Sequence, residues 1–566
     1  MGDNMYYKET VKVPEVKGKI NVMKKGNSRY VRYLLKTTYK PDKKYAIPKF
    51  TIIGKMSDEP GRMFPNENYV KYFGTDELSD TSEKTRSGCL KSGTFIVLNE
   101  LVRVLDLEKI LRNRFDERDA GLVLDLAFYS IITEGNQAQY YPSYAYNHPL
   151  MTENMKLYSD SKISDFLSSI EYNQIQGFLD DWNRDRDHEE RIYVSYDSTN
   201  KNCQAGDIDM IEYGHPKVDR GDPIVNVAMA YDVNNELPLF YEQYPGSIVD
   251  VSQLRYMVEK ASGYGYRNIG FILDRGYFSR TNINDMEKAQ YPFIIMVKGQ
   301  KKLVRQIILE CMGSFENSRK NLIRQYRCYG TTVAMKLYPS DTEDRYFHLY
   351  YSYEKATAEM TAFEDKIEEM QKYLDSVAGD KVTIAEKFSK YFNLEFHEDG
   401  TFLCASEKTS VIEEEISLFG YYCIISSEPM TAEEALSIYK SRDASEKLFR
   451  GEKSYLGGSS VRVHSSESMS SKLFIEFIAL ILRNKMHTKL KKEQESLKKR
   501  LNYMNVPAAV RELEKIEIIQ SGHNGYIMDH APTKIQKTVL KAFGIDANVL
   551  KRRNRSLCET LDDISK

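Results

Sequence analysis

Two aspartates, each closing an apolar run, are the residues best placed to do chemistry. Asp197 closes Arg191-Ile-Tyr-Val-Ser-Tyr-Asp197, where apolar and polar residues partly alternate, and the turn-prone Ser198-Thr199-Asn200 follows. Asp274, 77 residues later, closes Ile269-Gly-Phe-Ile-Leu-Asp274, an uninterrupted apolar run of the kind buried on both faces of a sheet. A third acid, Glu446, stands with Tyr439, Arg442 and Lys453 at steps of three, four and seven, which keep all four on one helical face. Carboxylates brought to one point repel unless a cation sits between them. Hard oxygen donors with free positions favour Mg²⁺ or Mn²⁺. Two such ions about 3.5–4 Å apart would activate the attacking oxygen and stabilise the leaving oxygen of an in-line phosphoryl displacement.

The elements that must position these residues can be read from the pattern. Strand-like runs at 191–197, 224–231 and 237–244, the last two joined as a hairpin, precede a helix over 251–262. The strand ending at Asp274 follows, then a helix capped by Ser279 and a strand over 291–297. Thr431-Ala-Glu-Glu434 has the form of a capping box opening a helix that runs towards Arg450. Three strands, helix, strand, helix, strand is the order of a ribonuclease H-like core. In that fold the first and fourth strands lie side by side, so Asp197 and Asp274 would meet. Its third carboxylate comes from a helix after the fifth strand, where Glu446 stands.

Tyr-x2-Arg-x3-Glu-x6-Lys, borne here by Tyr439, Arg442, Glu446 and Lys453, resembles the signature of a branch of bacterial insertion-sequence transposases of the Asp-Asp-Glu (DDE) type. Tyr-Asp-Ser-Thr around Asp197 and Leu-Asp-Arg-Gly-Tyr-Phe around Asp274 are similar to that family's other two motifs. The resemblance implies catalytic, metal-holding roles for Asp197, Asp274 and Glu446. Arg442 and Lys453 read as phosphate contacts beside the metals, and Tyr439 as a stacking or phosphate-bonding group. A helix-surface ion pair and a packed aromatic are the plainer account of those three. The implied protein is a cut-and-paste transposase bound as a homodimer to double-stranded DNA, at its element's terminal inverted repeats and at target DNA. It would cut one strand at each end and use the freed 3′-hydroxyl as nucleophile. The rivals are a ribonuclease H-like nuclease or resolvase without strand transfer, and a non-catalytic DNA-binding descendant of a transposase.

The expected fold class is α/β, with a mixed-sheet ribonuclease H-like core over 189–300 and 424–495. A β-rich insertion domain over 301–423 interrupts it, because 172 residues separate Asp274 from Glu446. A β-rich basic and aromatic region (1–75) and a helical DNA-end-binding region (76–188) come before the core, and a helical C-terminal region (496–566) after it. The insertion carries strand-like runs at 322–328, 331–338 and 346–353. A helix over 356–374 follows, with Phe363, Ile367, Met370 and Leu374 as its apolar stripe, then a hairpin at 397–400. Some relatives stabilise an unstacked base with a tryptophan in this region; here the single tryptophan, Trp182, lies outside it. His215, His464 and Cys203 have no partners at ligand spacing.

With 80 Lys and Arg against 82 Asp and Glu, no global field advertises nucleic acid, so a DNA surface must be a local patch. Residues 481–500 hold eight Lys or Arg and two Glu, a candidate phosphate-contacting stretch. Interleaved basic and aromatic residues in the first 75 positions would suit a phosphate backbone or simply a charged sheet face. Seven scattered cysteines without a Cys-x-x-Cys pair favour a reducing compartment. The most apolar run, 473–482, contains Glu476 and is short of the ~20 residues a bilayer needs. A cytoplasmic, nucleoid-associated bacterial protein without a membrane partner is the expectation.

Overall fold

The structure, a computed structural model, describes all residues except 1–5, 8–9, 27, 41–44, 75–85, 185, 187–190, 206–207, 215–220, 299–300, 444–455, 457–459, 522–524 and 565–566. It divides into two compact units, Met1–Ser87 and Gly88–Lys566.

The first unit is an antiparallel sheet of β1 (Val11–Lys12), β2 (Ile20–Lys25), β3 (Ser28–Lys40), β4 (Tyr45–Met56) and β5 (Arg62–Pro65), in the order β1-β5-β4-β3-β2. Its core is small: Val11, Val31, Ile53, Met63 and Tyr69. Tyr69 comes from helix Glu67–Phe73, whose start is fixed by Asn66 accepting the amides of Asn68 and Tyr69. β2 stops opposite Tyr33, and β3 and β4 continue as a two-stranded ribbon to the Lys40–Tyr45 pair.

The second unit opens with β6 (Cys89–Lys91) and helices Gly93–Val104, Glu117–Thr133, Asp160–Ser169 and Tyr172–Arg184. Helix Glu117–Thr133 is buried at every position from Ala120 to Ile131, as a helix does that serves as core rather than surface. Asp116 caps it by accepting the Asp119 amide, and Glu134 takes the left-handed conformation at its end. These helices pack around Ser466–Ser496, a 31-residue helix whose residues from Leu473 to Leu482 are all buried. Among the described residues no helix is long and apolar enough to cross a membrane.

A nine-stranded mixed sheet lies beside this bundle. It contains β7 (Ile192–Asn202), β8 (Ile224–Asp232), β9 (Leu237–Pro245), β10 (Ile269–Leu273) and β11 (Phe293–Met296). It also contains β12 (Leu322–Ile323), β13 (Cys328–Met335) and β14 (Arg345–Tyr351). β15 (Phe392–Phe396) and β16 (Phe402–Glu407) pair separately as a hairpin, and β17 (Tyr421–Ser426) returns to the large sheet. The order is β12-β13-β14-β17-β11-β10-β7-β8-β9. Within it β7, β10 and β11 are parallel and β8 and β9 antiparallel, an arrangement consistent with a ribonuclease H-like fold.

Three features differ from the sequence expectation. β7 does not end at Asp197: Ser198, Thr199 and Asn200 pair with Ala228, Val227 and Asn226, so ladder bonds override their turn preference. Of the stretch 301–423, β12–β14 extend the central sheet through β17. Only helix Tyr353–Ser376 with the β15–β16 hairpin forms a cluster of its own, around Phe363, Ile367, Met370, Leu374 and Phe402. The C-terminal stretch is not wholly helical, since β18 (Glu517–Gln520) and β19 (Tyr526–Met528) form a three-stranded sheet with β6.

A buried charge cluster joins sheet to bundle. Lys201 of β7, fully buried, places Nζ 2.7 Å from Oε2 of Glu476 on the long helix, and Asn136 Nδ2 donates to Oε1 at 3.0 Å. Lys472, one turn before Glu476, is also buried and donates to the Val461 carbonyl. Burial brings its amine down to about 8, against the pull of Glu476. Glu476→Leu leaves two buried lysines without their carboxylate, and chemical unfolding should show a loss of about 3–5 kcal/mol. Lys472 binds its proton less tightly folded than unfolded, so its burial costs stability below about pH 8 and the cost is relieved as pH rises towards 10.5. Lys472→Met should flatten that rise in urea midpoints measured between pH 7 and 10.

Candidate active site

β7 and β10 run parallel and in register from Ile192–Ile269 to Tyr196–Leu273, so the next residue of each strand is Asp197 and Asp274 respectively. Adjacent strands lie about 4.8 Å apart, and the two carboxylates therefore emerge side by side. Close approach is assisted at Gly270, where a Cβ would stand 2.7 Å from the Tyr193 ring on its partner strand.

Each aspartate is held by its surroundings. Asp197 Oδ1 accepts the Ser198 amide at 2.8 Å. On the alternate face, Ser198 Oγ donates to Asp250 Oδ2 at 2.5 Å, and Tyr244 donates to Oδ1 at 2.6 Å. Asp250 opens helix Asp250–Gly263 and thereby ties it to β7. Burial and the nearby Asp250 carboxylate hold the Tyr244 hydroxyl protonated, well above its ordinary range. Asp274 leads into a turn in which the Tyr277 amide donates to its carbonyl at 3.0 Å. Asn282 holds the Tyr277 carbonyl at 2.9 Å from helix Arg280–Lys288, which Ser279 caps as the sequence indicates. The supporting role of Asp250 was not readable from one sequence, because its partners come from two separate strands.

Opposite Asp274 stands the helix Ala432–Ser441, opened by the expected capping box of Thr431 and Glu434. It delivers Arg442, whose Nη1 lies 3.7 Å from Asp274 Oδ1, with the arginine 13% and the aspartate 38% exposed. The guanidinium carbon sits 5.6 Å from the centre of the Tyr439 ring. Tyr439 itself is buried against Ile272, Ile294 and Leu436. The ring packs between the helix and the sheet, next to Arg442. Glu446 and Lys453 lie outside the described residues, as does His215. Of the others set aside, Cys203 is buried in the main core and His464 is exposed, while Trp182 is buried and donates to the Pro238 carbonyl at 3.0 Å.

Between this helix and the long one is a cavity of about 600 Å³ lined by Tyr231, Lys440, Asp443, Arg483, His487 and Lys491 among others. The cationic stretch of the long helix thus opens beside the chain that carries Arg442. Among the described residues no three His, Cys, Asp or Glu side chains form a metal-binding group. The donor chemistry that is described, two side-by-side aspartates with Asp274 partly open to solvent, suits a hard divalent cation.

Sheet order and paired carboxylates together describe a mixed α/β protein with its acids at the edge of a parallel strand pair, consistent with the ribonuclease H-like fold of transposases. The family model described as the transposase DDE domain matches residues 194–482, a span holding both aspartates and Arg442. The chain belongs to the DDE-domain transposase family. No curated protein matches the sequence. Similar solved structures include a piggyBac transposase synaptic complex with hairpin DNA (9% identity, TM-score 0.28, covering 66% of this chain and 57% of that one). Another is a Mos1 transposase paired-end complex with the left transposon end (13% identity, TM-score 0.14, 24% and 50%). The chain thus spans 57% of the length of the first and half of the second.

The Arg442–Asp274 pair, 3.7 Å apart and open to solvent at the aspartate, contributes modestly to stability, on the order of 1 kcal/mol. Arg442→Met, which keeps the packing on Tyr439, should leave the melting temperature nearly unchanged. Any change in DNA cleavage or joining by this variant then reports on the site and not on the fold.

Proposed function

We propose that the protein is a cut-and-paste transposase of the bacterial insertion-sequence branch bearing the Tyr-Arg-Glu-Lys signature, acting on double-stranded DNA. The observation that carries this reading is the in-register pairing of β7 with β10, which brings Asp197 and Asp274 side by side within the span of the family match. With Glu446 they would hold Mg²⁺ or Mn²⁺. Such ions, when bound, supply activation of the attacking oxygen and stabilisation of the leaving one. The chain's own groups do the rest: Ser198 and Asp250 fix the strand that carries Asp197, and Asn282 fixes the turn after Asp274. Arg442, with Lys453, would neutralise phosphates flanking the scissile one, with Tyr439 holding the arginine in place.

The chemistry is two successive phosphoryl transfers. Water attacks the phosphodiester at the element's end, and a 3′-hydroxyl leaves. That hydroxyl then attacks a target phosphodiester and displaces a second 3′-oxygen. Catalysis would rest in 189–300 and 424–495, on a homodimer spanning the two inverted repeats at the nucleoid.

Asp197→Ala, Asp274→Ala and Glu446→Ala should each abolish Mg²⁺-dependent cleavage and joining while binding to the terminal repeats persists. Arg442→Ala and Lys453→Ala should keep some nicking but lose joining disproportionately, as followed by the time course of nicked, cleaved and joined products. Wild-type rates from any carboxylate variant would refute the assignment.

A further inference from the structure

The first unit carries a surface that the catalytic chemistry does not use. β2, β3 and β4 bear eight lysines and arginines and no carboxylate, in a chain whose net charge is −2. Four of these cations face one another in like-charged pairs across the ladder: Lys24 opposite Arg29, and Lys36 opposite Lys49. Like charges directly opposite on adjacent strands destabilise a sheet, and all four are exposed. An anion lying across the strands converts that cost into attraction.

The geometry specifies the anion further. Beyond Tyr33 the ribbon has no third strand, and residues 35–38 and 46–49 are all exposed, so both of its faces meet solvent. A two-stranded ribbon by itself is marginally stable in water. Leu35 and Ile47 are among its exposed residues, with Thr37 and Thr38 beside them. This apolar and hydroxyl-bearing surface with flanking cations suits base edges between two phosphate rows. The major groove of B-form DNA, about 12 Å wide, admits a two-stranded ribbon, whereas the deep, narrow major groove of duplex RNA does not. The buried helix Glu117–Thr133, by contrast, presents no such surface.

We infer that the β3–β4 ribbon enters the major groove of duplex DNA, with Lys36 and Lys49 on the bordering phosphates. The inference rests on the reading of the chain as a transposase and names the element that grips its DNA. The full-length protein is titrated by fluorescence anisotropy with a terminal-repeat DNA duplex, a mixed-sequence DNA duplex and the same sequence as duplex RNA, at several salt concentrations. The Lys36→Glu/Lys49→Glu and Lys36→Gln/Lys49→Gln variants are compared, their folding monitored by thermal melting. The glutamines remove charge at exposed positions and keep the test valid should the reversal unfold the unit. The expected result is at least tenfold weaker DNA binding, a log–log salt slope smaller by about two units, and weak binding of RNA throughout. Dimethyl sulfate interference should map to guanine N7, in the major groove, and vanish in the variants.

Unchanged affinity and slope, interference at adenine N3 in the minor groove, or equal binding of RNA would each overturn the inference. Metal-dependent cleavage by the wild-type protein is assayed alongside. Cleavage with unaltered variant binding sinks the ribbon alone; absent cleavage with variant-sensitive binding sinks the transposase reading alone.

Discussion

The parallel pairing of β7 with β10 is the constraint on which the rest of the second unit depends. Parallel neighbours cannot be joined by a tight turn and need a long crossover. Here the intervening chain supplies β8, β9 and helix Asp250–Gly263 before β10 arrives. Two of these also support β7: β8 pairs with it from Val194 to Asn202, and Asp250 binds Ser198 beside Asp197. All five residues of β10 are buried, so a slip of one residue would exchange its two apolar faces and carry Asp274 out of line with Asp197. The register that preserves the core is therefore the register that assembles the carboxylates.

β7 does a second job four residues further on. Lys201 shares the strand face of Asp197, since side chains alternate with period two, and it is clamped to Glu476 on the long helix. Apolar residues of equal volume would fill that space at less desolvation cost. The ion pair instead makes one seating of the helix strongly preferred, because any other leaves buried charges unmatched. That helix in turn organises the four before the sheet and carries the cationic turns around Arg483 and Lys491. A shift of the helix along the sheet would thus be felt at both Glu476 and the cavity wall.

The local part of this design was legible in the sequence. Capping residues at Ser279 and Thr431 mark helix starts that the structure repeats, because a cap needs only its own next three residues. The buried stripe Phe363, Ile367, Met370 and Leu374 follows from helical spacing alone. What was missed depends on partners far along the chain. Ser198-Thr199-Asn200 read as a turn because their ladder partners lie on β8. β12–β14 read as a separate insertion because nothing local reveals that β17 joins them to β11. β18 could not be paired with β6 across more than four hundred residues. Of the candidate site, the two aspartates and Arg442 were legible, but Tyr439 occupies a packed position that its spacing with Arg442 could not distinguish from an exposed one.

Charge distribution follows the same logic of separation. The chain as a whole is close to neutral, so long-range attraction to a polyanion cannot come from net charge. The carboxylates at β7 and β10 would themselves repel a phosphate backbone, and only Arg442 among the described residues is ion-paired with Asp274 there. On the reading proposed above, the cations must lie where they can hold DNA without neutralising the two aspartates. The carboxylate-free strands β2–β4 and the cationic turns of the long helix meet that requirement, in different elements from the two aspartates. Local segregation, rather than an overall basic composition, is how a nearly neutral chain would reconcile an acidic centre with the polyanionic substrate proposed for it.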